Sequence, residues 1–275
     1  MKVVMASKYG FCMGVKRALE IVSGVLGQAT VLHQAVHNPS VSTKMKEMGI
    51  DEVEDISDVK TETVIFSAHG VSPEIKLKAN NLKLKAVDAT CPLVLKVHGI
   101  VKSYALRGYE FIYVGHKGHP EPLGVMGEAP GKVYLIEEAE ELYKIRIKNE
   151  EKVVVVTQTT LSVSDTEEIV KKVKQRFPKA LVFNTVCFET TDRQKALEEI
   201  LDKVELVIVV GGKNSSNSQR LVDLAIKAGK KGYLVENEKD LNTEWFRGVD
   251  FVGLTAGAST PDSETMKVKK FIENL

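Results

Sequence analysis

The chain has 275 residues, 43% of them hydrophobic, and its 38 basic residues nearly balance its 37 acidic ones, leaving a net charge of +1. That length supports a large buried core and roughly two or three domains. No basic tail or block of like charge is present, which sets nucleic acid aside as a main partner, since binding a phosphate backbone needs concentrated Lys and Arg.

The opening residues, "MKVVMASKYGFC", lack the apolar core of a signal peptide, and no apolar run approaches the roughly 18 residues of a membrane span. The sequence therefore reads as soluble and cytoplasmic, with no membrane partner. Three cysteines, Cys12, Cys91 and Cys187, are odd in number and far apart. They make a poor disulfide framework and are expected as thiols or metal ligands.

Taken in order, short β-branched runs alternate with amphipathic helical stretches. The strand "KVVMAS" leads to Cys12. A helix over 13–26, the strand "TVLHQA", the turn "VHNPS" and a helix over 41–49 follow. After a linker come the strand "TVIFSAHG", a helix, and "KAVDAT", which delivers Cys91. From Cys91 the order recurs: a helix over 92–108, the strand "YEFIYVGH", the turn "HKGHPEP", the segment "VYLIEEAEEL", the strand "KVVVVTQTT", a helix over 165–177, then "ALVFNTV" and Cys187. It recurs once more through a helix over 190–204, "ELVIVVGG", the turn "KNSSNS", a helix over 219–229, "GYLVENEKDL", "DFVGLTAGAS" and a final helix. Apolar runs of this length between helices indicate parallel strands covered on both faces. The third unit lacks the strand that delivers a cysteine, and the N-terminal strand supplies it. The expected fold class is α/β: a trefoil of three pseudo-threefold-related modules, 12–90, 91–186, and 187–275 completed by 1–11, with mainly parallel sheets around a central cleft.

In open α/β sheets, ligands gather beyond the carboxyl ends of the strands. Each unit has three such ends, with polar or reactive residues in matching positions. The first carries His37 and Asn38, then His116, His119 and Glu121, then Ser215, Ser216 and Asn217. The second carries His69, then Thr159 and Thr160, then Ser259. The third carries Cys91, Cys187 and Cys12. Three thiolates from equivalent strands suit one iron–sulfur cluster, and three ligands rather than four leave one iron open. The helices that follow favour thiolates by their positive ends, and Pro92 suits a first helical position. The hydroxyl, amide and imidazole groups make an anion site without a Lys/Arg cluster. Glu121, beside histidine, is the candidate acid, because burial raises a carboxyl pKa, and Thr159 or Thr160 could relay the proton. Two rivals stay open. "HKGHPE" offers His116, His119 and Glu121 to a catalytic zinc. A phosphate-binding module with inert, buried cysteines is the other. His33 and His98 read as structural.

Eight blocks, "GFCMGV", "VHNPSV", "SAHGVSPE", "DATCPLVLKVH", "GHKGHPE", "TQTTLSV", "KNSSNSQRL" and "TAGASTPD", spread from residue 10 to residue 262. In that order they resemble the 4-hydroxy-3-methylbut-2-enyl diphosphate reductase (IspH/LytB) family. The resemblance implies a [4Fe-4S] cluster held by Cys12, Cys91 and Cys187 with one open iron. It implies an allylic diphosphate substrate that loses its hydroxyl with two electrons and two protons, the last step of the methylerythritol phosphate route to isoprenoids. By position, His37, His69, His119, Thr159, Ser215, Ser216, Asn217 and Ser259 would bind substrate. Glu121, with His119 and Thr159 or Thr160, would carry the proton chemistry. A ferredoxin- or flavodoxin-like protein would supply the electrons. Three local departures stand out: "FETTDRQ" after Cys187, Gly212 where the family commonly has serine, and Pro122 directly after Glu121.

Overall fold

The computed structural model describes residues 1–25 and 28–275. The expected first helix extends to Leu26, which lies outside them. The chain falls into two compact units, one of Met1–Lys16, Val36–Lys44 and Phe188–Leu275, the other of Arg17–Ala35 and Met45–Cys187. Among the described residues, the strands form three four-stranded sheets in which every pairing is parallel.

The first unit holds one sheet, built from β1 (Lys2–Met5), β10 (Leu206–Val210), β11 (Lys231–Val235) and β12 (Phe251–Ala256) in the order β1-β12-β10-β11. β1 lies at the edge beside β12, with Lys2 opposite Phe251 and Met5 opposite Leu254. The N-terminal strand thus completes the sheet of the C-terminal segment, as the missing last strand requires. β10 is buried at every residue because both its faces are covered. Val207 and Val209 pack with Leu197 and Ile200 of α7 (Phe188–Leu201) and Leu221 of α8 (Ser216–Lys227). Leu206, Ile208 and Val210 face Val268 and Ile272 of α9 (Asp262–Glu273). This two-sided burial explains the continuous run "LVIVV", where a one-sided strand would alternate.

The second unit holds two sheets. One contains β2 (Ala29–Leu32), β3 (Asp51–Val53), β4 (Thr63–Phe66) and β5 (Lys85–Asp88), ordered β3-β2-β4-β5. The other contains β6 (Glu110–Val114), β7 (Val133–Ile136), β8 (Val153–Thr157) and β9 (Leu181–Val182), ordered β7-β6-β8-β9. All three sheets share one winding, and β1, β5 and β9 occupy the same edge position. β3 falls where the sequence indicates only a linker. Its three residues include two acids and no apolar run, so nothing local marks it as a strand. It forms because Thr30–Leu32 offers an open edge.

Helices α1 (Met13–Gly24), α4 (Pro92–Ala105) and α7 each start at the residue after a cysteine. Helices α2 (Pro39–Glu47), α5 (Pro120–Met126) and α8 follow β2, β6 and β10, while α3 (Pro73–Asn81) and α6 (Val163–Arg176) cross over after β4 and β8. α7 and α8 begin two and three residues earlier than helical periodicity indicates. At α8 the cause is Ser215, whose hydroxyl accepts the Ser218 N–H at 3.3 Å. In two sheets the chain leaves β2 or β6 toward one edge and β4 or β8 toward the other, and in the third β10 leads to β11 at one edge while β1 lies beside β12 at the other. The crevice beyond their carboxyl ends is therefore a topological switch point, where α/β folds bind ligands. No helix among the described residues is long and apolar enough to cross a membrane.

Candidate functional site

The three cysteines lie outside any disulfide and are half-buried. Their backbones are held alike. The Cys91 N–H donates to the Ala68 carbonyl at 3.0 Å, that of Cys187 to the Thr159 carbonyl at 2.8 Å, and that of Cys12 to the Ala258 carbonyl at 3.0 Å. Each cysteine is thus tied to the turn that follows the neighbouring strand, β4, β8 or β12. Those turns present His69, Thr160 and Ser259 one residue further on.

The Cys91 turn shows how local sequence does this. The Asp88 carboxylate accepts the Thr90 N–H at 3.0 Å and its hydroxyl, turning "DATC" out of β5. Arg17 Nη1 holds the Thr90 carbonyl at 3.1 Å. Cys91 then occupies the N-cap of α4 with Pro92 in the first turn, where a missing N–H costs nothing. At α1 the Val15 N–H points at the Cys12 sulfur, 3.4 Å away. Cysteines at helix starts and outside any disulfide are residues that fit iron–sulfur ligation.

In the second unit, His119 caps α5, its Nδ1 accepting the Glu121 N–H at 3.1 Å, and its ring meets that of His69 edge-on with centroids 5.4 Å apart. Glu121 is 2% exposed. Its Oε1 accepts the Thr159 N–H at 2.8 Å and the Tyr113 hydroxyl at 3.0 Å, and its Oε2 accepts the Thr159 hydroxyl at 2.7 Å. Burial pushes the Glu121 carboxyl above its usual range, against the pull of those donors from Thr159 and Tyr113. Burial, reinforced by the facing Glu121 charge, pushes the Tyr113 phenol well above its own. A buried carboxyl with three donors and a raised pKa is a group held in one orientation and shifted toward its protonated form.

Thr159 and Thr160 part company here. Thr159 addresses Glu121, whereas the Thr160 hydroxyl accepts from the Gln158 side chain at 3.0 Å. Tyr113 escaped sequence reasoning. Its signal was a lone hydroxyl in the apolar run "EFIYV", on the face of β6 that packs against α4 and α5.

His116 lies apart from this pocket. Its Nδ1 is 3.3 Å from Glu137 Oε1, and its N–H donates to Gln158 at 2.8 Å. His116, His119 and Glu121 do not form a metal-holding group among the described residues, so the geometry lends no support to zinc at this turn. His98 is buried on α4 and pairs through Nδ1 with Glu128 at 2.8 Å.

In the first unit, Ser215 caps α8, Ser216 opens it, and Asn217 is 3% exposed with neither amide atom hydrogen-bonded among the described residues. A buried amide without partners is costly unless a ligand completes it. The Ser259 hydroxyl donates to the His37 carbonyl at 3.0 Å, and Asn38 starts α2 by accepting the Ser40 N–H at 3.0 Å. Gly212 passes close beneath this turn, and a Cβ there would lie 2.5 Å from the His37 carbonyl oxygen. The departure at Gly212 therefore has a steric counterpart in this chain.

A model of the LytB protein family matches residues 3–273. The 4-hydroxy-3-methylbut-2-enyl diphosphate reductase of Escherichia coli is 42% identical over 285 aligned residues, covering 100% of this chain and 90% of that one. Among solved structures, the (E)-1-hydroxy-2-methyl-but-2-enyl-4-diphosphate reductase of Plasmodium falciparum superposes with a TM-score of 0.93 at 37% identity, covering 100% of this chain and 87% of that one. A second, (E)-4-hydroxy-3-methyl-but-2-enyl diphosphate reductase, described as the terminal enzyme of the non-mevalonate pathway, gives 0.70 at 34% identity, with both chains fully covered. The fold is that of an α/β reductase with parallel sheets. The chain belongs to the LytB family of iron–sulfur enzymes, the family its eight sequence blocks resemble.

Proposed function

We propose that the chain reduces 4-hydroxy-3-methylbut-2-enyl diphosphate to isopentenyl and dimethylallyl diphosphates. Two electrons and two protons enter, the allylic C–O bond breaks, and the oxygen leaves as water. The observation that carries the residue assignment is the Glu121 carboxyl, dry, raised in pKa, and oriented by Thr159 and Tyr113.

Cys12, Cys91 and Cys187 would hold a [4Fe-4S] cluster. With three cysteine ligands it would supply, when bound, electrons and an open Lewis-acid iron for the leaving hydroxyl. The chain's own residues bind, orient and protonate. Ser215, Ser216, Asn217 and Ser259, with His37, His69 and His119, are assigned to the diphosphate. Helix-start amides and hydroxyls suit its charge, and the unpartnered Asn217 amide supports the assignment. Glu121 delivers the proton, and Thr159 fixes its oxygens. The common strand order and the matching cysteine-to-carbonyl bonds support the module boundaries 12–90, 91–186, and 187–275 with 1–11. Electrons would come from a ferredoxin- or flavodoxin-like carrier. An oxygen-labile cluster and three cysteines outside any disulfide favour the cytoplasm.

The test is anaerobic purification followed by turnover of the hydroxylated allylic diphosphate with reduced viologen. A brown protein that releases isoprenoid diphosphates supports the reading. Colourless protein that takes up no iron on anaerobic reconstitution, or brown protein without turnover, refutes it.

A further inference from the structure

The largest fully buried side chain of the described protein is charged: Arg193, on the second turn of α7, is 1% exposed. Its Nη1 donates to the Glu189 carbonyl at 2.8 Å and to Glu189 Oε2 at 2.9 Å, and its Nη2 reaches the Gly10 carbonyl at 2.7 Å. Burying a guanidinium is expensive, and apolar replacements of buried ion pairs are often as stable. Stability alone therefore gives weak reason for this residue. What an arginine adds is geometry, a rigid planar fork that spans two acceptors at fixed separation.

The acceptor at the far end is telling. Gly10 stands two residues before Cys12, on the longest of the three tethers that join an edge strand to a cysteine. β1 ends at Met5, seven residues before Cys12, whereas β5 ends at Asp88, three before Cys91, and β9 at Val182, five before Cys187. Each loosely held residue adds conformational freedom that must be removed to place a sulfur. On the short Cys91 tether, the Asp88 turn and Arg17 do this. On the long tether, Gly10 adopts φ +73°, and a Cβ there would meet Asp262 Oδ1 at 2.1 Å. The backbone is wedged against Asp262 on one side and held by Arg193 on the other. Lys8, further out on the same loop, bridges to Asp192 at 2.9 Å and Glu189 at 3.4 Å, but its side chain is one-third exposed.

We propose that Arg193 is a positioning residue for the metal site: its fork to Glu189 and Gly10 sets the Cys12 loop so that this sulfur is presented ready to take its ligand. The inference rests on the iron–sulfur reading above. It explains why α7 carries a buried cation one turn beyond the cysteine-bearing segment.

The test compares wild type with Arg193→Met, Arg193→Lys and, as a control on the outer bridge, Lys8→Met. In the full-length, metal-free chain, N-ethylmaleimide labelling of each thiol is timed by peptide mass spectrometry. Iron and sulfide per chain are then measured after anaerobic reconstitution. Arg193→Met should label Cys12 about tenfold faster, as expected when one segment opens more easily, with Cys91 and Cys187 unchanged. It should also retain less iron, with a melting temperature lowered by roughly 6–15 °C because Glu189 is left buried without its partner. Arg193→Lys keeps the charge but lacks the fork, and should give a smaller selective rise. Lys8→Met should raise Cys12 labelling less than Arg193→Met does, because its part-exposed bridge to Asp192 is weakened by solvent and it makes no bond to the Gly10 carbonyl.

A folded Arg193→Met protein with wild-type Cys12 labelling and iron overturns the proposal. So does an equal rise at all three thiols, which marks a general packing role, or an equal effect from Lys8→Met. If Arg193→Met does not fold, Arg193→Lys decides: unchanged Cys12 labelling there overturns the proposal. Iron-free wild type counts against the cofactor reading itself, which separates the two failures.

Discussion

Replacing Thr159 by valine is the sharpest single perturbation of the pocket. Valine keeps the shape of threonine and deletes only the hydroxyl that donates to Glu121 Oε2 at 2.7 Å. The Thr159 N–H at 2.8 Å and the Tyr113 hydroxyl at 3.0 Å still hold Oε1. A hydrogen bond to a charged group contributes about 1.5–3 kcal/mol. The loss falls mainly on the ionised carboxylate that remains once the proton has gone. Carried into the barrier, that energy slows turnover roughly 10–150-fold. It also moves the limb of the pH–rate profile that reports Glu121 ionisation to higher pH, since the ionised form loses a donor while burial is unchanged.

The assay is anaerobic steady-state turnover of the allylic diphosphate with reduced viologen between acid and mildly basic pH. KM should change little, because the deleted hydroxyl addresses Glu121. Thr160→Val is the matched control: its hydroxyl pairs with Gln158, so turnover should stay within about threefold of wild type. If both valine variants lose activity equally, or if Thr159→Val keeps its kcat and pH profile, the assignment of Thr159 as the group that orients the acid is wrong.

Glu121→Gln should bind the diphosphate with near-native affinity and fail to turn it over; normal turnover would remove Glu121 from the proton path. The same variant has a signature in stability. The folded state raises the Glu121 pKa, so the stabilisation from this group is fully present below its unfolded pKa and is lost as pH rises through the folded pKa. Glutamine does not titrate. Denaturant titrations should therefore show the variant gaining on wild type as pH climbs from the acid range to neutrality, and a flat or reversed difference would contradict the raised pKa. Gly212→Ser places a Cβ 2.5 Å from the His37 carbonyl. It should cost about 1–3 kcal/mol of overpacking, read as a lower melting temperature, together with a raised KM from displacement of the His37 turn. A variant at least as stable as wild type, with unchanged KM, would show that the turn moves aside freely.

Much of this protein is written along the chain. The apolar runs of β6, β8 and β10 announce strands buried on both faces, and their regular alternation with helices dictates parallel pairing, because parallel neighbours need a crossover. The recurrence of cysteines after an edge strand, and the absence of that strand at the C-terminus, were enough to place β1 in the last sheet. These features are legible because each depends on local periodicity or on order. β3 was not legible: three residues with two acids carry no period, and the open edge of β2 makes them a strand.

The finer chemistry belongs to tertiary structure for the same reason. Two adjacent threonines look equivalent in "TQTTLSV", yet the end of β8 aims Thr159 at Glu121 and leaves Thr160 to Gln158. Tyr113 is an ordinary strand aromatic until α5 brings a carboxyl over its hydroxyl. Gly10 is a plain turn residue until Arg193, 183 positions away in sequence, grips its carbonyl. The sequence by itself determined the α/β class, the three thiols and the candidate acid, since residue type and period carry that information. Which donor meets which acceptor is set by helices packing onto a sheet from far along the chain, at distances of a few ångströms, and only the folded structure decides that.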